Sequence, residues 1–94
     1  HLDCKLVVVL GHNHCGAVEA AIKHDPDGHI KYITDDIREA IKEEKDEYIA
    51  TCLNVKHSVK VIEDNTDMKL LEEKGLEVIG AVYHLEDGHV EFLE

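Results

Sequence analysis

Residues 6–17 read Leu-Val-Val-Val-Leu-Gly-His-Asn-His-Cys-Gly-Ala, an apolar run followed by a polar turn between two glycines. A short, β-branched and continuously apolar run that ends at a glycine is typical of a strand buried on both faces of a parallel sheet. We therefore predict a strand over residues 5–10. Residues 15–23 are rich in helix formers and end before an Asp-Pro-Asp-Gly sequence, which predicts a helix. His12 and Cys15 are thus expected on a strand-to-helix turn.

Three later segments are predicted to be helices. Two of them carry apolar residues at helical spacing. These residues are Ile33, Ile37, Ala40 and Ile41 in the segment from residue 30, and Tyr48, Cys52, Val55, Val59 and Ile62 in the next. The third helix, over residues 66–74, has Asn65 or Thr66 as its N-cap and Gly75 as its end. Its expected core contacts are Met68, Leu70 and Leu71.

The last part of the chain predicts two strands. Residues 76–85 are mostly apolar, and Asp87-Gly88 supplies a tight hairpin turn into a strand over residues 89–93. The expected fold class is α/β: a parallel strand pair joined by a right-handed helical crossover, plus an antiparallel C-terminal hairpin strand. The first strand is too apolar for an open sheet edge. An upstream segment or a second copy of the chain is expected to cover it. A self-complementary two-fold dimer is the commonest such arrangement, so a homodimer or higher homo-oligomer is expected.

Composition limits the classes of function. The 94 residues suffice for a single domain over residues 1–94, and because the first residue is His1 and the only methionine is Met68, we expect it to be truncated at its N-terminus. A net charge of −11 argues against nucleic acid and anionic membranes as partners. The chain has no long apolar run for a membrane span, and its three cysteines form no disulfide framework, so a cytoplasmic setting is expected.

His12 and Cys15 are candidate zinc ligands. Imidazole and thiolate are the ligands that zinc prefers, and these two supply half of a tetrahedral site. The spacing alone also fits a turn in which both residues are merely structural. Cys4 lies at the opposite end of the first strand, and Cys52 lies on an apolar helical stripe typical of a core cysteine. His14 is able to bind metal or face solvent, and we expect solvent.

The other histidines show no pattern of a metal site. His24, His29, His57 and His89 lie in polar surroundings and are expected to be exposed. The single arginine, Arg38, is expected to form a surface ion pair with nearby carboxylates.

The chain resembles the β-class carbonic anhydrases over nearly its whole length. Residues 6–18 look like the second zinc-ligand motif of that family, a strand followed by G-H-x-x-C-G-A. Residues 78–83 and 88–93 are similar to its C-terminal pattern I-G-A-x-Y-D-L-x-T-G-x-V, with His84 where the family commonly has aspartate. Shorter likenesses occur at residues 28–30 and 54–55. Because motif, helices and hairpin follow the family's order, an incomplete β-carbonic-anhydrase-like fold is expected.

The resemblance implies zinc-dependent reversible hydration of carbon dioxide to bicarbonate, with His12 and Cys15 as zinc ligands. The family's other ligand is a cysteine in a C-x-D-x-R motif on an earlier strand, and no such motif occurs in these 94 residues. The chain alone is therefore expected to lack part of the metal site. Two alternatives stay open: a catalytically inactive zinc-binding or dimeric interaction protein, and a carbon disulfide or carbonyl sulfide hydrolase on the same fold.

Overall fold

The computed structural model describes residues 5–23 and 31–93. Its elements in chain order are β1 (Leu6–His12), α1 (Gly16–Lys23), α2 (Lys31–Ile41), α3 (Glu47–Glu63), α4 (Thr66–Glu73), β2 (Glu77–Tyr83) and β3 (Val90–Leu93). The strand–helices–strand–strand order confirms the predicted α/β class. Within the described ranges, no helix has the length and apolar character needed to cross a membrane.

β2 is the central strand of a three-stranded sheet with the order β1-β2-β3. β1 pairs with it in parallel, which places Val9 opposite Gly80. β3 pairs with it antiparallel, and Leu93 lies opposite the same glycine. The predicted parallel pair with an antiparallel C-terminal strand is therefore confirmed.

Two glycines allow α3 to lie close against one face of the sheet. A Cβ atom on Gly11 would lie 2.6 Å from Cγ2 of Val55, and one on Gly80 would lie 2.7 Å from Cγ1 of the same residue. Both distances are shorter than carbon atoms tolerate, so a side chain at either position would force Val55 to shift. Val82 shares this side of the sheet and is 0% exposed. We call this side, formed by Gly11, Gly80 and Val82, the α3 face.

A second part of the core lies between the helices. The buried residues that form it are Val18, Ala21, Ile37, Ile41 and Ala50, from α1, α2 and the start of α3. Arg38 ties α1 to α2, because its Nε donates to the Ala21 carbonyl oxygen at 3.2 Å while its Nη1 donates to Asp35 at 2.9 Å. The expected ion pair of Arg38 is confirmed.

Two helix faces differ from the sequence prediction. In α2 the buried stripe is Thr34, Ile37 and Ile41, whereas Ile33 is exposed. The stripe begins one residue later than predicted, because the inward position three residues before Ile37 is occupied by Thr34. In α4, Leu70 and Leu71 are also exposed, and the helix has no buried residue. The expected core contacts of these two leucines are wrong, because α4 lies on the outside of the fold.

β1 is covered on one face only. Its residues alternate between half-buried and exposed, with Leu6, Val8 and Leu10 on the exposed side. Phe92 of β3 projects from the same side and is exposed as well. The prediction of a strand buried on both faces is therefore wrong for the described part of the chain. We call the side formed by these four residues the bare face.

The helix caps and the hairpin follow local chemistry. The Asp46 side chain accepts the Ile49 N–H at 3.0 Å and begins α3. Asn65, rather than Thr66, is the N-cap of α4, and Gly75 follows that helix with φ +102°, as predicted. Residues 84–89 connect β2 to β3, which is longer than the predicted tight turn. The connection is closed because the His84 N–H donates to the His89 carbonyl oxygen at 2.9 Å.

Candidate metal centre

The turn between β1 and α1 carries both candidate ligands. β1 continues two residues beyond the predicted strand, so that His12 is its last residue. The Cys15 carbonyl oxygen accepts the Glu19 N–H at 3.0 Å, which makes Cys15 the residue that begins α1. Its thiol is free and half-buried against the core between the helices. Cysteine sulfur is a ligand that zinc prefers, so Cys15 offers a sulfur ligand at this position.

The His12 side chain is held in one tautomer. Its Nδ1 lies 2.8 Å from the Asn13 carbonyl oxygen. Because a carbonyl oxygen only accepts hydrogen bonds, the proton resides on Nδ1 and the lone pair of Nε2 is free. A ring nitrogen that donates to a backbone carbonyl while the other nitrogen is free is the arrangement common among metal-binding histidines.

His14 reverses the chain between the two candidate ligands. Its φ of 53° lies in the left-handed region, which residues other than glycine adopt rarely. The ring is 68% exposed, as predicted, and its two nitrogens lie 4.0 Å from the carboxylates of Glu47 and Glu86. Oε1 of Glu47 is buried and accepts no hydrogen bond. His14 therefore lies between two acidic side chains.

Asn13 joins this turn to the β2–β3 connection. Its Oδ1 accepts the Leu85 N–H at 2.9 Å, and its Nδ2 donates to the Glu86 carboxylate. Its own N–H donates to the Tyr83 carbonyl oxygen at 3.2 Å, continuing the strand pairing beyond His12. The Asn13 amide lowers the pKa of Glu86, because it stabilises the ionised carboxylate.

A second polar cluster lies beside the first, at the carboxyl end of β2. The Tyr48 hydroxyl lies 2.6 and 2.8 Å from the two oxygens of the Glu91 carboxylate, and His84 Nε2 donates to that carboxylate at 3.0 Å. His84 also stacks on His89, with ring centroids 4.2 Å apart. The Glu91 carboxylate raises the pKa of both Tyr48 and His84, and the Tyr48 hydroxyl lowers the pKa of Glu91. His89 in turn lowers the pKa of Asp87.

The sequence did not reveal this cluster. Tyr48 is exposed instead of lying in the core, and His57 is half-buried instead of exposed. His89 is exposed, as predicted. His24 and His29 lie outside the described residues. The only available signal in the sequence was His84, which stands where the resembled family commonly has aspartate. An aspartate at this position would be repelled by the Glu91 carboxylate, whereas a histidine binds it.

The chemistry of the donors fits zinc, but the set is incomplete. His12 and Cys15 offer one nitrogen and one sulfur. In residues 5–23 and 31–93, no group of three or more histidine, cysteine, aspartate or glutamate residues is arranged to hold a metal ion. Cys52 is half-buried on α3, one helical turn after Tyr48. Cys4 lies outside the described residues.

Comparisons with known proteins agree on one family. A family model described as carbonic anhydrase matches residues 1–90. The β-carbonic anhydrase CafA of the fungal pathogen Aspergillus fumigatus superposes with a TM-score of 0.84 at 28% identity, covering 100% of this chain and 50% of that one. One of the tetrameric β-carbonic anhydrases of Sordaria macrospora gives 0.78 at 26% identity, with 99% and 54% covered.

A third solved structure supports the fold alone. The β-carbonic anhydrase CcaA gives a TM-score of 0.73 at 19% identity, covering 96% of this chain and 51% of that one. No curated protein matches the chain in sequence. The chain spans about half the length of the solved relatives that it matches. The matched residues, the strand order and the position of the His12–Cys15 turn lead to one conclusion: this chain belongs to the carbonic anhydrase family, in its β class.

Proposed function

We propose that this chain supplies two ligands to a zinc centre that interconverts carbon dioxide and bicarbonate. The observation that carries the proposal is the His12–Cys15 turn at the carboxyl end of β1. There the Nδ1 hydrogen bond leaves Nε2 of His12 free, and the half-buried thiol of Cys15 stands at the start of α1. Membership of the carbonic anhydrase family supports this assignment.

Each residue of the turn has a distinct part in the proposal. Nε2 of His12 and Sγ of Cys15 hold the metal, and the Asn13 carbonyl oxygen fixes the imidazole through Nδ1. Zinc, when bound, supplies a Lewis acid that lowers the pKa of water towards about 7. The remaining ligands come from residues other than those described, since the solved relatives are about twice as long.

We further propose that the chain functions as a homo-oligomer. The bare face presents four large apolar side chains to solvent, which is typical of a surface that another protein covers. The Sordaria macrospora relative is tetrameric. A self-complementary contact between copies would bury the bare face of each.

Metal analysis after gel filtration tests the zinc assignment. We expect zinc to be bound weakly by the chain and to be lost in the His12→Ala and Cys15→Ser variants. His89→Ala and Cys52→Ser are matched controls, because they remove the same chemical groups away from the turn, and they should keep the zinc. Zinc that persists at full stoichiometry in both His12→Ala and Cys15→Ser would contradict the assignment.

Stopped-flow hydration of carbon dioxide tests the reaction. Because the described residues provide two ligands, the chain alone should show little zinc-dependent activity. Turnover at the level of an intact family member would contradict the proposal that further ligands lie outside these residues.

One observation favours a second candidate function. No third ligand accompanies His12 and Cys15 in the part of the chain that the structure describes. A folded interaction module that binds zinc without catalysis would have this property. Such a module would keep its zinc-dependent assembly and show no activity even when joined to the missing ligands.

A further inference from the structure

Asn13 uses every polar group it has in hydrogen bonds. Its side-chain oxygen accepts from the Leu85 N–H at 2.9 Å, and its side-chain nitrogen donates to Glu86. Its backbone N–H donates to the Tyr83 carbonyl oxygen at 3.2 Å, and its carbonyl oxygen accepts from His12 Nδ1 at 2.8 Å. Two of these four bonds reach the β2–β3 connection, and a third reaches Tyr83, the last residue of β2. One residue therefore joins that connection to the imidazole of a candidate ligand.

The turn needs such an anchor. His14, the next residue, has a φ of 53°, a conformation that costs energy for any residue with a Cβ atom. His14 itself is largely exposed, and among the residues that the structure describes its ring nitrogens lie 4.0 Å from the carboxylates of Glu47 and Glu86. Asn13 is half-buried, and its bond to the Glu86 carboxylate is charge-assisted, which makes it stronger than a bond between neutral groups. The conformation between His12 and Cys15 is thus maintained mainly through Asn13.

The partner of Asn13 is itself fixed. The connection that carries Leu85 and Glu86 is closed by two backbone bonds, from the His84 N–H to the His89 carbonyl oxygen at 2.9 Å and from the Gly88 N–H to the His84 carbonyl oxygen at 2.8 Å. The His84 side chain is bonded to Glu91 on β3. A rigid connection is able to impose its geometry on the turn that it contacts.

We propose that Asn13 is a positioning residue, through which the β2–β3 connection holds His12 in the tautomer and orientation that a metal requires. The proposal deepens the zinc function and rests on it. It makes the C-terminal connection part of the metal centre, although no residue of the connection is a ligand. Its consequence is that a change at Glu86 alters the state of His12, which lies 74 positions earlier in the sequence.

The first test measures the His12 tautomer in the metal-free chain. Long-range proton–nitrogen correlation spectra, taken where the imidazole is neutral, distinguish a proton on Nδ1 from one on Nε2. We expect Nδ1 to carry it in the wild type, and both tautomers to be populated in Asn13→Ala. Tyr48→Phe is the matched control, because it removes a hydrogen bond between α3 and the same hairpin but leaves Asn13 intact. It should keep the wild-type tautomer.

A reciprocal exchange separates positioning from simple loss of stability. Asn13→Asp places a carboxylate against Glu86 and should disturb the tautomer as Asn13→Ala does. Adding Glu86→Gln restores one donor and one acceptor, with their roles reversed, and should return His12 to the wild-type state. If Asn13→Ala and Asn13→Asp keep the wild-type tautomer and lose only thermal stability, as Tyr48→Phe does, the proposal is wrong.

Cobalt binding supplies the second readout. Co²⁺ titrated into the chain is followed by the charge-transfer absorption of the Cys15 thiolate. Asn13→Ala should raise the dissociation constant by about 10-fold or more, the usual effect of losing a group that orients a ligand. An unchanged constant would overturn the positioning role. If the wild type binds no Co²⁺, the zinc function fails, whereas the tautomer measurement still decides whether Asn13 positions His12.

Discussion

Both faces of the sheet carry apolar side chains, but α3 covers only one of them. On the α3 face, Gly11 and Gly80 lie under Val55, and Val82 is 0% exposed. On the bare face, Leu10 is 57% exposed and Phe92 is 63% exposed. The sequence of β1 therefore encodes more apolar contacts than the described fold makes. Of its five apolar side chains, Val7 and Val9 are half-buried within the described fold, whereas Leu6, Val8 and Leu10 are exposed.

The α3 face should be the least tolerant of change. Gly80→Ala would place a Cβ atom 2.7 Å from Val55 and should lower the free energy of unfolding by about 1–3 kcal/mol, the usual cost of overpacking. Gly16→Ala is the control, because a Cβ atom there meets nothing within 4 Å. Urea denaturation measures both. Adding Val55→Ala should relieve the clash, so that the double variant loses less than the sum of the single ones. Strict additivity would mean that α3 does not set the need for glycine.

The bare face should matter for assembly rather than for folding. Phe92→Asp should leave the free energy of unfolding of the separated chain within about 0.5 kcal/mol, as is usual for surface changes. It should raise the dissociation constant of the oligomer at least about 10-fold, which corresponds to about 1.4 kcal/mol. Val61→Asp is the control, because Val61 is also exposed but lies on α3. Analytical ultracentrifugation decides: a wild type that stays monomeric at all concentrations contradicts the proposed assembly.

The stability that the polar cluster at the carboxyl end of β2 contributes should depend on pH, whereas the stability contributed by the two apolar faces should not. Because the Glu91 carboxylate raises the pKa of His84 above its usual 6.5, protonated His84 stabilises the folded state. This stabilisation is fully present below pH 6.5 and is lost as the pH rises through the folded pKa, above 6.5. Asp87 and Glu86 face the ring from the connection, Tyr48 from α3 and His89 by stacking.

His84→Gln measures this effect, which is the smallest of the three. Glutamine keeps a donor for Glu91 but has no charge to lose. The melting temperature of the wild type should therefore fall more than that of the variant when the pH rises from about 6 to about 8, across the usual titration range of histidine. Equal changes in the two proteins would show that His84 does not gain stability from Glu91.

Local sequence signals predicted the order of the elements and the turn. The apolar run before Gly11 gave β1, and the alternatives at the start of α4 differed by a single residue. What the sequence did not provide was the contact between distant residues. The bonds from Asn13 to Leu85 and Glu86, and from Tyr48 to Glu91, depend on how β1, α3 and the hairpin meet, and that arrangement follows from packing rather than from spacing.

The other two errors of the sequence prediction concern which residues of α2 face inward and how much of β1 is buried. Ile33 was assigned to the inward face of α2 because it is apolar, yet the stripe of three- and four-residue steps begins at Thr34. β1 was expected to be buried on both faces because its composition does not distinguish contacts within the chain from contacts with a partner. Composition indicates that an apolar side chain favours burial, and only the structure shows whether other residues of this chain bury it.

The zinc K-edge absorption spectrum of the zinc-loaded chain identifies the atoms that bind the metal. We predict one sulfur at about 2.3 Å and at least one imidazole nitrogen at about 2.0 Å, with lighter solvent atoms completing the shell. The sulfur should vanish in Cys15→Ser and persist in Cys52→Ser, and the imidazole should be lost in His12→Ala. A sulfur shell that survives Cys15→Ser would contradict the assignment of zinc to the His12–Cys15 turn.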